Sequence, residues 1–114
     1  MYKPYGIIPP IITPFNEDGS VNYKSLAKMS VYLVENGVHG LFPFGTTGEF
    51  YAVSDDEFVK SLETVRDAVA GKSNCYRKPI QLFAGCSHIT TRGVIHLIHL
   101  VEQVGGYDAV SVLT

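Results

Sequence analysis

The segment Gly45-Thr46-Thr47-Gly48-Glu49 has the residue types and spacing best suited to chemistry. Two glycines let a backbone approach a ligand closely, and two adjacent hydroxyls beside neighbouring N–H groups make a compact set of donors. Such a cluster suits a small carboxylate or phosphate. On spacing alone the competing reading is a tight strand-to-helix turn with no ligand. No Gly-Lys-Ser or Gly-Lys-Thr follows, so the segment is not a P-loop, and Gly85-Cys86-Ser87 lacks the GxGxxG form of a dinucleotide site. Cys75 and Cys86 stand apart with no CxxC partner and no ligand-spaced histidines, which gives no support to a disulfide framework or a zinc site. His96 and His99 fall with Arg92 and Gln103 on the polar stripe of a helical pattern, where a solvated face is expected rather than a metal.

These residues need a scaffold, and the apolar pattern predicts one of alternating strands and helices. The run Gly6–Ile12 reads as a first strand weakened by Pro9 and Pro10. Asn16-Glu17-Asp18-Gly19 reads as a turn. Helix one follows, with Asn22 as cap, Leu26, Met29 and Leu33 as its inner stripe and Gly37 as its stop. His39–Phe44 is a second strand leading directly into the threonine motif. Helix two opens on the capping-box sequence Ser54-Asp55-Asp56-Glu57, buries Phe58, Leu62, Val65 and Val69, and closes at Gly71. Pro79–Gly85 is a third strand ending in Cys86-Ser87-His88. Helix three starts near Thr90 or Thr91, carries Val94, Leu97, Ile98, Val101 and Val104 on one face, and ends at Gly105-Gly106. Tyr107–Thr114 is a fourth strand.

Alternating units of this length imply an α/β fold with a parallel sheet, because parallel strands need a crossover that a helix supplies. An open doubly wound sheet and part of a closed barrel both fit. A (β/α)8 barrel takes ~250 residues, so this chain holds about four of its eight strands, the N-terminal half. We expect residues 1–114 to form one partial TIM-barrel domain, truncated before the second half. The formal charge of -2, from 9 basic and 11 acidic residues without a like-charged block, argues against a nucleic-acid partner. No stretch approaches the ~20 apolar residues of a membrane span, and Met1-Tyr2-Lys3-Pro4-Tyr5 does not open a signal peptide. The expected location is the cytoplasm.

The segment Gly40-Leu41-Phe42-Pro43-Phe44-Gly45-Thr46-Thr47-Gly48-Glu49 resembles the signature of the dihydrodipicolinate synthase and N-acetylneuraminate lyase family. Ile12-Thr13-Pro14-Phe15, Gly19, Val53-Ser54 with Glu57, Ala84-Gly85-Cys86 and Gly106-Tyr107-Asp108-Ala109-Val110 agree with it in order and spacing, although the family more often has leucine where Val53 stands. The resemblance implies a (β/α)8-barrel lyase or synthase whose full-length members form a Schiff base between a lysine and pyruvate or another 2-oxo acid. It implies no metal or organic cofactor, and a homo-oligomer. The carried-over roles are a proton relay for Thr46 and binding of the 2-oxo acid carboxylate for Thr46 and Thr47. Glu49 is expected to be structural, holding the turn through backbone hydrogen bonds.

In the family a tyrosine lies beyond strand five, the Schiff-base lysine sits on strand six and a further pair of tyrosines directly follows the strand that here ends at Thr114, so the resemblance implies that none of these positions falls within residues 1–114. Lys3, Lys24, Lys28, Lys60, Lys72 and Lys78 occupy the N-terminal segment, polar helix faces or the loop before strand three, where nothing desolvates an amine to make it nucleophilic. Tyr107 enters strand four at the end opposite to the one where barrels place chemistry. The chain alone is therefore expected to be inactive. The family's activities include condensation of pyruvate with aspartate semialdehyde and cleavage of N-acetylneuraminate or of 2-keto-3-deoxy sugar acids; a threonine first in the motif leans away from the sialic acid lyases. Of a different class is a non-catalytic, self-associating half-barrel with open strand edges. An open-sheet nucleotide binder is disfavoured by the missing phosphate loop.

Overall fold

The computed structural model describes residues 1–113; Thr114, the end of the fourth expected strand, lies outside them. Three helices form where the apolar spacing places them: α1 at Tyr23–Glu35, α2 at Asp55–Val69 and α3 at Thr91–Val104. Each starts on a side chain that accepts from the third residue beyond it: Asn22 from Ser25 N–H, Ser54 from Glu57 N–H and Thr90 from Gly93 N–H. These acceptors satisfy amides that have no partner within the helix, each contributing about 1 kcal/mol. In α2 the box is complete, since the Glu57 carboxylate returns a bond to Ser54 N–H.

The regular strands are β1 at Gly40–Leu41, β2 at Gln81–Gly85 and β3 at Ala109–Ser111, parallel and in sequential order. The expected first strand, Gly6–Ile12, is not regular. It keeps one parallel bridge, Pro10 to Phe42, with Phe42 N–H donating to Pro9 O and Ile11 N–H to Phe42 O, each at 3.0 Å. Pro9 and Pro10 have no N–H to extend the ladder, and this limits the segment to a strand-like edge beside β1. The second strand is shorter than its apolar run because Pro43 lacks a donor and Phe44 turns the chain with φ +62°. The fourth covers less than its run for the residues described.

Register decides which architecture this is. Paired residues on parallel strands share a face, so Leu41 with Leu82, and Ala84 with Val110, point one way. On that side one core joins Ile11, Leu26, Val34, Leu41, Val65, Val69, Ile80 and Leu82, and a second joins Phe44, Phe58, Leu62, Ala84, Cys86 and Val101. All three helices therefore cover the same face. A doubly wound sheet reverses its strand order and carries helices on both faces. Sequential strands with helices on one side are a sector of a (β/α) barrel, and Gly40, Gln81, Phe83 and Gly85 face its interior.

The two outer helices depart from the expected stripes in an informative way. All four inner residues of α2 are buried, with Leu62 and Val65 at 0 % exposure. Replacing Leu62 by alanine would cost about 2–5 kcal/mol. In α1 the fully packed line is Leu26, Ser30 and Val34, while Met29 and Leu33 are half-buried. In α3 Val101 is the buried residue and Leu97, Ile98 and Val104 are half-buried. A helix flanked on both sides, as α2 is, buries its whole stripe; one flanked on a single side does not. Among the described residues no helix is long and apolar enough to cross a membrane.

Candidate functional site

The motif emerges at the C-terminal end of β1, the end at which barrels place chemistry. Thr46–Gly48 forms one turn of 3-10 helix, closed by Gly48 N–H to Gly45 O at 3.0 Å and Glu49 N–H to Thr46 O at 3.1 Å. A second such turn, Phe50–Ala52, leads into the Ser54 cap of α2. Thr46 and Thr47 are exposed. Neither their N–H groups nor their hydroxyls meet a partner among the described residues, leaving up to four donors on two adjacent residues. Such donors stabilise a carboxylate without adding a competing base.

The frame around them is tight. Phe44 adopts a left-handed conformation that costs a bulky residue roughly 1–3 kcal/mol, and its carbonyl occupies the space beside Gly85. The Phe42 ring lies against Gly45, so a Cβ there would stand 3.2 Å from it. Thr13 donates its hydroxyl to Gly48 O at 2.6 Å. Thr13 belongs to the matching tetrapeptide Ile12–Phe15, but no local pattern announces a contact between residues 35 positions apart. Glu49 has φ +54° and holds both turns through its own main chain, accepting from Ala52 N–H at 2.9 Å; its exposed carboxylate bonds to no described residue.

The neighbouring strand ends are knitted together rather than open. Cys86 N–H donates to Ser111 O at 2.8 Å and Leu113 N–H to Ser87 Oγ at 3.1 Å. Cys86 is buried, and burial pushes its thiol up to about 11, whereas Cys75 is an exposed thiol. A cavity of about 290 Å³ opens between the second 3-10 turn and α3, with Phe50, Tyr51, Asp55, Phe58, His88 and Leu97 in its wall; the threonines do not line it. His96 Nε2 lies 2.6 Å from Asp55 Oδ2 and His99 Nδ1 3.3 Å from Glu102 Oε2, all on exposed side chains. No group of three or more His, Cys, Asp or Glu converges among the described residues.

The remaining candidates sit elsewhere. Lys60 stacks over Tyr23 at 4.4 Å and Lys78 over Tyr5 at 5.0 Å, and of the six lysines only Lys72 is even half-buried. Tyr107 donates to Leu62 O at 2.8 Å, and burial raises its phenol far above the ordinary range, so it serves packing.

A family model described as the dihydrodipicolinate synthetase family matches residues 3–114. The chain is similar to the 4-hydroxy-tetrahydrodipicolinate synthase of Methanocaldococcus jannaschii, 38% identical over 114 residues that make up 100% of this chain and 36% of that one. It superposes on the N-acetylneuraminate lyase of Proteus mirabilis with a TM-score of 0.83 and 29% identity, covering 97% of this chain and 35% of that one. A prophage protein of the dihydrodipicolinic acid synthase family from E. coli K12, solved in complex with pyruvate, gives 0.80 and 29%, covering 94% and 33%. The chain thus spans about 35% of the length of the relatives it matches. From the first bridged segment to β3, it belongs to the dihydrodipicolinate synthetase family.

Proposed function

We propose that this chain is the N-terminal part of a Schiff-base-forming lyase or synthase that acts on pyruvate or another 2-oxo acid, similar to 4-hydroxy-tetrahydrodipicolinate synthase. The observation that carries the reading is the exposed Thr46–Thr47 pair, whose N–H groups and hydroxyls have no partner among the described residues at the C-terminal end of a parallel barrel sector. Donors aimed at a carboxylate fix the keto carbon for attack by an amine. Thr46 and Thr47 bind the carboxylate, and Thr46 relays protons from the attacking amine to the keto oxygen, which leaves as water when the imine forms. The attacking lysine lies in sequence beyond these residues. The relatives named after a synthase, and the family protein solved with pyruvate, support this choice of substrate. Residues 1–114 are then one partial-barrel domain, inert alone, of a cytoplasmic homo-oligomer. Cleavage of a 2-keto-3-deoxy sugar acid or of N-acetylneuraminate uses the same imine and is the alternative within the class.

The test is to treat the protein made from the full reading frame that contains these residues with pyruvate and borohydride, then record its intact mass. A pyruvyl adduct on a lysine beyond Thr114 is expected. An adduct on one of the six lysines described above, or none at all, overturns the reading. A second reading draws on Val110 and Val112, each 39% exposed on the helix-bearing face. If the 114 residues circulate alone, they self-associate through that face and the open strand edge, and light scattering would report a dimer or larger.

A further inference from the structure

The N–H groups and hydroxyls of Thr46 and Thr47 meet no partner among the described residues, so their aim is inherited from the residues at the two ends of the turn. The entry is latched by β2. Gly85 N–H donates to Pro43 O at 2.9 Å, and the Phe44 carbonyl fills the place of a side chain at Gly85, 1.9 Å from where a Cβ would stand. The exit is held by the first segment. Thr13, 8% exposed, donates its hydroxyl to Gly48 O, and Ile11 O stands 3.0 Å from the position of a Cβ at Gly48. The entry latch is main chain and steric: it offers no side-chain donor to delete, and a side chain added at Gly85 would clash with the Phe44 carbonyl. The exit depends on one hydroxyl.

We propose that Thr13 is a positioning residue for the 2-oxo acid site: its bond to Gly48 O holds the 3-10 turn so that the Thr46 and Thr47 donors converge on the carboxylate. The inference rests on the reading under Proposed function and adds to it a residue that touches no substrate. Three features separate this bond from ordinary packing. It is a buried bond from a neutral donor to the last carbonyl of the turn, which the 3-10 pattern leaves without an acceptor role. It spans 35 residues and joins two loops rather than two elements of the core. The Thr13 segment is also tied down independently, by Asn22 N–H to Pro14 O at 2.8 Å and Val21 N–H to Glu57 Oε2 at 3.0 Å, so Thr13 acts from a fixed base. Loss of the hydroxyl would let the turn drift while those ties keep the fold. A misplacement of about 1 Å at such a site is worth roughly 100-fold in rate.

The experiment uses the full reading frame and follows lysine trapping by pyruvate and borohydride against pyruvate concentration, with thermal unfolding beside it. Thr13→Val keeps the shape and removes the donor; Thr13→Ser keeps the donor and removes a methyl. The expected result is a half-saturating pyruvate concentration raised about 10-fold or more in the valine variant, a smaller fall in the limiting rate, and serine within about 3-fold of wild type. Should valine prevent folding, Thr13→Cys, a weak donor of similar size, takes its place with the same expected order. Equal half-saturation in the variants and wild type overturns the inference and leaves the functional reading standing. Equal impairment by serine and valine also overturns it, because the methyl and not the hydroxyl would then matter. No adduct on the wild-type protein removes the functional reading, and the inference with it.

Discussion

The two ends of the barrel sector are both rich in polar side chains, and they use them in opposite ways. At the N-terminal end of the strands, Gln81 is 3% exposed and fully engaged: its Oε1 accepts from Tyr2 Oη and from Tyr5 N–H, and its Nε2 donates to Tyr5 O at 2.8 Å and His39 O at 3.3 Å. Asn74 beside it donates to Tyr5 Oη at 2.8 Å and accepts from Tyr76 N–H at 2.9 Å. At the C-terminal end, the N–H groups and hydroxyls of Thr46 and Thr47 have no partner among the described residues. A buried polar group left unpaired is costly, so the closed end is built for stability. Exposed donors on a strained, well-anchored turn cost little to leave open and are available to a ligand. Polarity does not distinguish a site from a plug here; satisfaction does.

The largest expected effect breaks the open end alone. In the full-length protein, Thr46→Val removes a relay hydroxyl and a carboxylate donor and should lower the rate of pyruvate trapping by about 100-fold or more, as loss of a general acid–base group does. Because Thr46 is exposed and its hydroxyl bonds to no described residue, the unfolding midpoint should stay within a degree or two of wild type, by about 0.5 kcal/mol or less. A large fall in the midpoint with unchanged trapping would reverse the assignment of the two ends.

The opposite perturbation comes next in size. Gln81→Leu leaves Tyr5 N–H, Tyr5 O and the Tyr2 hydroxyl without their partner and should destabilise the fold by about 2 kcal/mol. Thermal unfolding would show the loss, while the trapping rate measured below the midpoint should be unaffected. If trapping falls with stability unchanged, the N-terminal end is more than a plug.

Legibility from sequence follows the range of the forces involved. Helix α2 is legible to its cap and its four buried apolar residues because a capping box and a 3.6-residue period are local. Thr46 and Thr47 stand out for the same reason, as hydroxyls between glycines. Pro9 and Pro10 announced a weak first strand, but its reduction to a single bridge depends on Phe42 across the sheet. The choice between barrel and doubly wound sheet needed the register, which places every helix on one face. Thr13 and Gly85 carry no local signal of their role, because their contacts with Gly48 and Phe44 join distant parts of the chain. Val110 shows the same dependence on distant parts: an apolar residue of the fourth strand, it is 39% exposed because no described helix covers it.

The smallest effect sharpens the comparison at the seam between motif and scaffold. Glu57 caps α2 through Ser54 N–H and also accepts from Val21 N–H at 3.0 Å, tying the helix start to the loop that carries Thr13. Its carboxyl is held below the usual range, first by the Ser54 amide and then by that of Val21. A pKa depressed in the folded state means the carboxylate stabilises the fold above its unfolded value and loses that contribution as pH falls through the folded one. Stability should therefore be level near neutrality and decline below about pH 4.5. Glu57→Gln, whose amide cannot accept both bonds, should cost about 1 kcal/mol or less near neutrality and make the acid decline shallower. The decline should not vanish, because Asp18, held low by the Ser20 hydroxyl and amide, titrates in the same direction. If the variant also raises the half-saturating pyruvate concentration as Thr13→Val does, the loop between them transmits position as well as stability, and the open end extends further into the scaffold than the motif itself.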